Sequence, residues 1–389
     1  MKYNFDKIID RRNTYSLKYS PASRGKPEYV LPLWVADMDF SSPPCVLEAI
    51  TEHTKHGIFG YFNTGDDYFN VLREWFSRRH NWKIEQDWLI KTSGVVNAIH
   101  IAILAVTKPR DSVIIQQPVY YPFMSAVSST GRKLVVNQLV EKDGFYEIDF
   151  DDFEQKIVKN NVKAFILCNP HNPVGRVFTR KELKRMGNIC LRHDVAVVAD
   201  EIHQDFIYDG HEHLVFAGLT PRLNDITITC TAPTKTFNLA ALPISNIFIA
   251  NEKLREEFLR VYGKFGVSQT GIMEIVACVA AYEHGEDWLS ELLSYLTNNM
   301  SFLDDFLKSE LPEVKLIKPE GTYLAWLDFR ALGLSDDELD AIITYKAKLW
   351  LNRGTSFGAG GDGFMRLNTA CPRSTLHRAL ERLGRALRG

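Results

Sequence analysis

Ile226-Thr-Ile-Thr-Cys-Thr231-Ala-Pro-Thr234-Lys235-Thr236-Phe-Asn238 runs from an apolar β-type stretch straight into a lysine flanked by Thr, Pro, Ala and Phe. A solvated loop lysine normally keeps polar company. In a semi-enclosed site a lysine has a lowered pKa and becomes a nucleophilic amine able to form a Schiff base. Alone, the same pattern also describes a plain loop lysine, so its meaning depends on what surrounds it.

Upstream, the chain alternates apolar runs with helical patterns. Ser112–Gln116, Ala164–Cys168, Val195–Ala199, Ile226–Cys230 and Asn246–Ala250 read as buried strands, nearly continuous in apolar character. Continuous rather than alternating runs suit a parallel sheet covered on both faces. Thr179–Arg192 opens with Thr-x-x-Glu, a capping box, and Val95–Val106 reads as an apolar helix entered through Ser93-Gly94. The last third differs. Glu286–Leu311 reads as one or two long helices, Gly321–Phe329 and Phe364–Asn368 as strands, and Pro372–Leu387 as a closing helix. The expected fold class is α/β, with a second, smaller α+β domain. The irregular first ~45 residues should pack on that second domain. The division is residues 46–282 for the large domain, with 1–45 and 283–389 forming the small one from both termini.

Composition narrows the function classes. The 389 residues carry 46 basic and 48 acidic side chains, a formal net charge of −2. That balance points to neither nucleic acid nor membrane as a partner. The first twenty residues lack a signal-type apolar core, and no run approaches the ~18 apolar residues of a spanning helix. Six scattered cysteines without a C-x-x-C pair fit buried free thiols in a reducing cytoplasm.

Several other residues carry possible chemistry. Asp200 ends a strand, where α/β sheets bind ligands, and a buried carboxylate there needs a cationic partner. It could also cap the next turn. The nearby Glu201, His203, Asp205, His211 and His213 raise a metal site, but no spacing matches a known ligand pattern, and no metal is expected. Asn169-Pro-His-Asn172-Pro-Val-Gly175 forms either a plain turn or a rigid one projecting Asn172 as a donor. Ser93-Gly94-Val95-Val96 could offer helix-start N–H groups to a phosphate or simply start a helix. A Tyr of Pro118-Val-Tyr120-Tyr121-Pro122 could stack on a ring or pack in the core. Arg366, alone in the apolar strand Phe364–Asn368, wants a carboxylate from a substrate or from the chain itself. Gly358-Ala-Gly360-Gly361-Asp-Gly363 spells G-x-G-x-x-G but leads into a strand, so it reads as a loop and not a dinucleotide site.

Together and in this order, the motifs resemble fold-type I enzymes dependent on pyridoxal 5′-phosphate (PLP), of the aspartate aminotransferase superfamily. Asn172 and Asp200 lie 28 residues apart, and Asp200 and Lys235 35 apart, both of which look like family spacings. Leu33-Trp-Val-Ala-Asp-Met-Asp-Phe40, the His in Asn-Pro-His-Asn-Pro, and Asp200-Glu-Ile-His203 look most like the MalY/PatB class of C–S lyases. The resemblance implies a PLP-transferase fold of type I, with a mostly parallel seven-stranded sheet between helices. It implies a likeness of roles as well. Lys235 carries PLP as a Schiff base. Asp200 pairs with the pyridine nitrogen, Asn172 with the ring oxygen, and Tyr121 stacks on the ring. Val95, Val96 and Thr231 hold the phosphate, and His203 and Thr234 complete the cofactor shell. Tyr61 reaches the phosphate of a partner subunit, implying a homodimer, and with Tyr121 joins Lys235 in the catalytic set. Arg366 holds the substrate carboxylate, helped by backbone near Val35 and Ala36.

The chain departs from the family pattern just past the lysine. Thr234 stands where Ser is usual, and Ala240-Ala241-Leu242-Pro243 where Ala-Gly-Leu-Gln is frequent. Pro243 also occupies the place of a phosphate-holding arginine in many aminotransferases. The activity implied is β-elimination from an S-substituted cysteine such as cystathionine, giving pyruvate, ammonia and a thiol, with Lys235 as general base. An aminotransferase using the same site is the alternative. A regulatory binding protein on a PLP fold is a lesser one.

Overall fold

The computed structural model describes residues 2–266 and 270–388. Its centre is a seven-stranded sheet of β1 (Leu89–Thr92), β2 (Ser112–Gln117), β3 (Lys133–Gln138), β4 (Val162–Cys168), β5 (Ala196–Asp200), β6 (Thr227–Thr231) and β7 (Ser245–Phe248). The spatial order is β1-β7-β6-β5-β4-β2-β3. Every neighbouring pair from β6 to β3 is parallel, while β7 is antiparallel to both β6 and β1. Six strands therefore share one direction and β7 runs against them.

The near-continuous apolar runs have a direct cause. Val113 and Ile115 of β2 belong to one core with Ile99 and Ile103 of helix α1 (Val95–Val106), whereas Ile114 between them belongs to another with Leu183 and Met186 of helix α2 (Arg180–Arg192). Both faces of the sheet are covered at its interior strands, so an unpaired polar side chain there is costly. Each fully buried Ile or Val contributes about 1.5–3 kcal/mol relative to exposure. The expected capping box at α2 is present, with Thr179 accepting from the Glu182 N–H and Glu182 accepting from the Thr179 N–H.

The C-terminal third builds a second, antiparallel sheet. Its strands are β8 (Lys315–Ile317), β9 (Leu324–Asp328), β10 (Asn352–Arg353) and β11 (Phe364–Asn368), in the order β8-β9-β11-β10. Helices α3 (Glu286–Glu310) and α4 (Arg373–Arg388) accompany it. Glu286–Leu311 thus resolves into a single helix, and the 321–329 stretch contributes strand only from Leu324. The N-terminal segment joins this half of the chain. Leu31 and Pro32 pair parallel with Leu349 and Trp350, Leu33 O accepts from Asn368 N, and Glu291 of α3 accepts from the N–H groups of Lys2 and Tyr3. The glycine-rich loop before β11 is a packing loop. Ala359 N–H donates to Gln117, and a Cβ on Gly358 would fall 2.3 Å from that side chain.

Candidate active site

The carboxyl ends of the co-directional strands converge on one cavity of about 200 Å³. Thr92 of β1 leads to Ser93-Gly94, Cys168 of β4 to Asn172, β5 ends in Asp200, and Thr231 of β6 leads into the helical turn Pro233–Thr236 bearing Lys235. Because β7 runs the other way, the residues that enter it, Ala240 and Pro243, reach the same rim. Ligands bind at this edge of an α/β sheet because loops there diverge and leave a crevice.

Lys235 is half-buried and lines the cavity, and its Nζ donates to Ala36 O at 2.6 Å. Burial pulls its pKa down to about 8, against the opposing pull of Asp37 and Asp200. Asp200 is buried with one hydrogen-bond partner among the described residues, the Ile202 N–H at 3.1 Å on Oδ1, and burial pushes its pKa up to about 7. His203, beside Tyr323, is pushed down to about 3, by burial first and then by Lys235 and Arg366. Its Nδ1 has no hydrogen-bond partner among the described residues. Asn172 Oδ1 accepts from Arg366 Nη1 at 2.9 Å, which leaves the amide's Nδ2 donor for the cavity it lines.

Arg366 lies one hydrogen bond back from the cavity. It also donates to Trp34 O and Asn352 Oδ1, both at 2.7 Å, and rests over the Phe357 ring. Among the described residues no carboxylate pairs with it, and burial pulls its pKa down to about 10. A buried cation bonded only to neutral oxygens favours an anionic ligand. At the other end, helix α1 starts after Gly94 (φ 93°), with Val95, Val96 and Asn97 on the cavity wall. Its first N–H groups have no intrahelical partner. Thr234 and Ala36 complete the lining together with Tyr120.

Four further expected residues fall elsewhere: Tyr121, Thr231, Val35 and Tyr61. Tyr120, not Tyr121, lines the cavity. Val119 N–H is fixed to Phe357 O, and the turn then sends the two tyrosines different ways, leaving Tyr121 40% exposed at the entry to the next helix. Thr231 is fully buried inside β6, and its hydroxyl donates to Asn246 O of β7, so it does not reach the cavity. Val35 contributes a carbonyl that accepts from Asn368 Nδ2, while its neighbour Ala36 makes the wall. Tyr61 is 103% exposed and outside the cavity of its own chain. The acidic and histidine residues after Asp200 divide into separate pairs. Glu201 meets His213, Asp205 meets His80 and Arg79, and His211 lies near Glu320.

The profile of the aminotransferase class I and II family matches residues 29–383. The chain belongs to that family. Within the class I and II aminotransferases it is 44% identical to cystathionine beta-lyase PatB of Bacillus subtilis, over 99% of this chain and 100% of that one. It is similar to cystalysin from Treponema denticola, whose crystal structure contains pyridoxal 5′-phosphate, at 39% identity and a TM-score of 0.96, covering 100% and 99% of the two chains. It is also similar to the PLP-bound C–S lyase of Staphylococcus hominis in complex with L-cycloserine, at 34% identity and a TM-score of 0.92, covering 99% of each. Sequence reasoning missed several wall residues of this family member, namely Asn97, Cys168 and Ile202, and also Tyr323, whose hydroxyl donates to Ala36 O at 3.0 Å. Tyr323 sits in an apolar strand pattern that any core tyrosine would share, and only its carbonyl partner distinguishes it.

Proposed function

We propose that this chain is a PLP-dependent carbon–sulfur β-lyase that cleaves cystathionine or a related S-substituted cysteine to pyruvate, ammonia and a thiol. The observation that carries the reading is full-length similarity to lyases of this type, joined to a cavity whose donors suit PLP. Among the described residues Asp200 is a buried acid with no ion pair in contact, only the more distant pull of Lys235, and a protonated pyridine nitrogen would provide one. Asn172 has a free amide donor for the ring oxygen, and the start of α1 offers N–H groups to the phosphate. Tyr120 stands where a ring could stack. Pro243 offers no charge at the rim, so the phosphate relies on N–H groups and hydroxyls.

When bound, PLP supplies an electron sink for charge developing at the substrate α-carbon. The chain's own residues do the rest. Lys235, with a pKa near 8, is sufficiently neutral near pH 7–8 to act as a nucleophilic amine and then to take the α-proton on Nζ. Arg366 orients the substrate by its carboxylate, helped by backbone N–H groups near Val35 and Ala36. His203 stays neutral beside the cationic side chains and adds no charge to the site.

The active unit is a homodimer in this reading. Tyr61, with the neighbouring exposed Ile58 and Phe59, forms an apolar projection that suits a partner subunit's site. The large domain is residues 46–282 and the small one 1–45 with 283–389, a division supported by the two separate sheets. Free cysteines, five of the six buried, suit a cytoplasmic setting. Among the described residues no helix is long and apolar enough to cross a membrane. The test is pyruvate release from cystathionine by the purified holoenzyme without added keto acid. Amino transfer that requires a keto acid, with no pyruvate released in its absence, would overturn the lyase assignment.

A further inference from the structure

Residues 34–40 lie beside Lys235 without belonging to either large sheet, yet their carbonyls are taken by side chains. Trp34 O accepts from Arg366, Val35 O and Asp37 O from Asn368, and Ala36 O from both Lys235 and Tyr323. Continuing along the segment, Arg11 donates to Met38 O and pairs with Asp37 and Asp39, and the partner on the side of the lysine-bearing turn is Asn238. Its Oδ1 accepts from Met38 N–H at 2.9 Å, and its Nδ2 donates to Met38 O at 3.2 Å and Phe40 O at 2.9 Å. Asn238 stands three residues after Lys235, at the end of the same helical turn. Its φ is +57°, a left-handed conformation that asparagine tolerates better than most residues. One amide therefore ties the turn bearing the lysine to a segment 200 residues away in sequence.

We propose that Asn238 is a positioning residue for Lys235. It fixes the Met38–Phe40 backbone, and thereby the Ala36 carbonyl two residues earlier, at hydrogen-bond distance from Nζ. A carbonyl oxygen 2.6 Å from Nζ stabilises positive charge there and orients the protons that Nζ carries. Through that oxygen Asn238 acts on both the basicity and the aim of the lysine. The proposal rests on Lys235 being the cofactor-bearing base.

The test uses Asn238→Gly in the holoenzyme, because glycine accepts the left-handed backbone and removes only the side-chain bonds. Two readouts are taken well below the melting temperature. One is kcat for pyruvate release. The other is the pH midpoint of the visible absorbance band of lysine-bound PLP. The expected result is a fall in kcat of about 10-fold to 100-fold, as for a small misplacement of a reacting group. With it the midpoint moves down by about half a unit or more, because a dipole favouring the charged nitrogen is lost. Wild-type kcat, or a lowered kcat with an unmoved midpoint, overturns the proposal whatever happens to the melting temperature. If Asn238→Gly does not fold, Asn238→Asp replaces it. That variant keeps the acceptor for Met38 N–H but sets an anion against two carbonyls, and wild-type kcat in it is equally fatal. Should the wild-type enzyme release no pyruvate, the lyase reading fails, while the spectroscopic midpoint still decides the role of Asn238.

Discussion

Asp200 is held at a cost that only its ligand removes, and Asp200→Asn measures that cost. The carboxyl group is buried, its one hydrogen-bond partner among the described residues is the Ile202 N–H, and its pKa rises from 3.8 to about 7. The folded protein therefore holds this proton more tightly than the unfolded chain does. It follows that stability falls as pH rises from about 3.8 to about 7, and stays reduced above that range. About three units at 1.36 kcal/mol each amount to roughly 4 kcal/mol at pH 8. Asparagine has the same shape, can accept from Ile202, and does not ionise. Freed of PLP, the variant should exceed the wild type in stability at pH 8 by several kcal/mol, and the gap should narrow steadily towards pH 4. With PLP bound the order should reverse, because a cationic ring nitrogen beside the carboxylate stabilises the charge that asparagine lacks. The assay is thermal or urea denaturation of both proteins, with and without cofactor, across pH 4.5–8. Groups that do not interact with Asp200 cancel in the difference between the curves, whereas Lys235, whose pKa Asp200 raises, titrates lower in the variant. Parallel apoprotein curves for wild type and variant would refute the argument, because Asp200 would then carry no ionisation cost.

Three further outcomes follow from the site. Arg366→Lys keeps a charge but loses the fork that serves two oxygens at once, so KM for the amino-acid substrate should rise about 10–100-fold, the loss of a charge-assisted hydrogen bond worth ~1.5–3 kcal/mol. An unchanged KM in steady-state kinetics would remove the substrate carboxylate from Arg366. Tyr120→Ala should weaken PLP binding up to about tenfold, in line with ~0.5–1.5 kcal/mol for ring stacking, while Tyr121→Ala should weaken it clearly less. Equilibrium titration of apoprotein with PLP separates the two, and the reverse ranking would restore Tyr121 to the ring. Lys235→Ala should abolish both the visible band of bound cofactor and pyruvate release, and full activity in it would end the proposed mechanism.

How much of this was legible in the sequence depended on how far each signal travels along the chain. The interior strands were legible because burial on both faces leaves an unbroken apolar run, and all five were placed within a residue or two of their observed bounds. The strands β1 and β3 were not, since partial exposure mixes polar with apolar residues in Leu89–Thr92 and Lys133–Gln138. Nor does local pattern carry strand direction: Ser245–Phe248 is as apolar as its neighbours yet runs against them. Lys235, Asp200 and Asn172 could be found because each must follow a strand end, and the structure brings all three to one cavity. Tyr120 and Tyr121 could not be told apart, because two adjacent tyrosines in a turn differ only in direction, which here is set by a hydrogen bond from Val119 to Phe357, far along the chain. Thr231 failed for a related reason. A threonine ending a strand can present its hydroxyl to the crevice or to the next strand, and the antiparallel β7, whose Asn246 carbonyl takes that hydroxyl, decided it. Ala36 shows the limit most clearly. It carries no chemistry in its side chain, so only the Leu33–Phe40 motif marks it, as backbone beside a substrate carboxylate and not as a partner of Lys235. Its importance lies in a backbone carbonyl on which Lys235 and Tyr323 converge from 199 and 287 residues away.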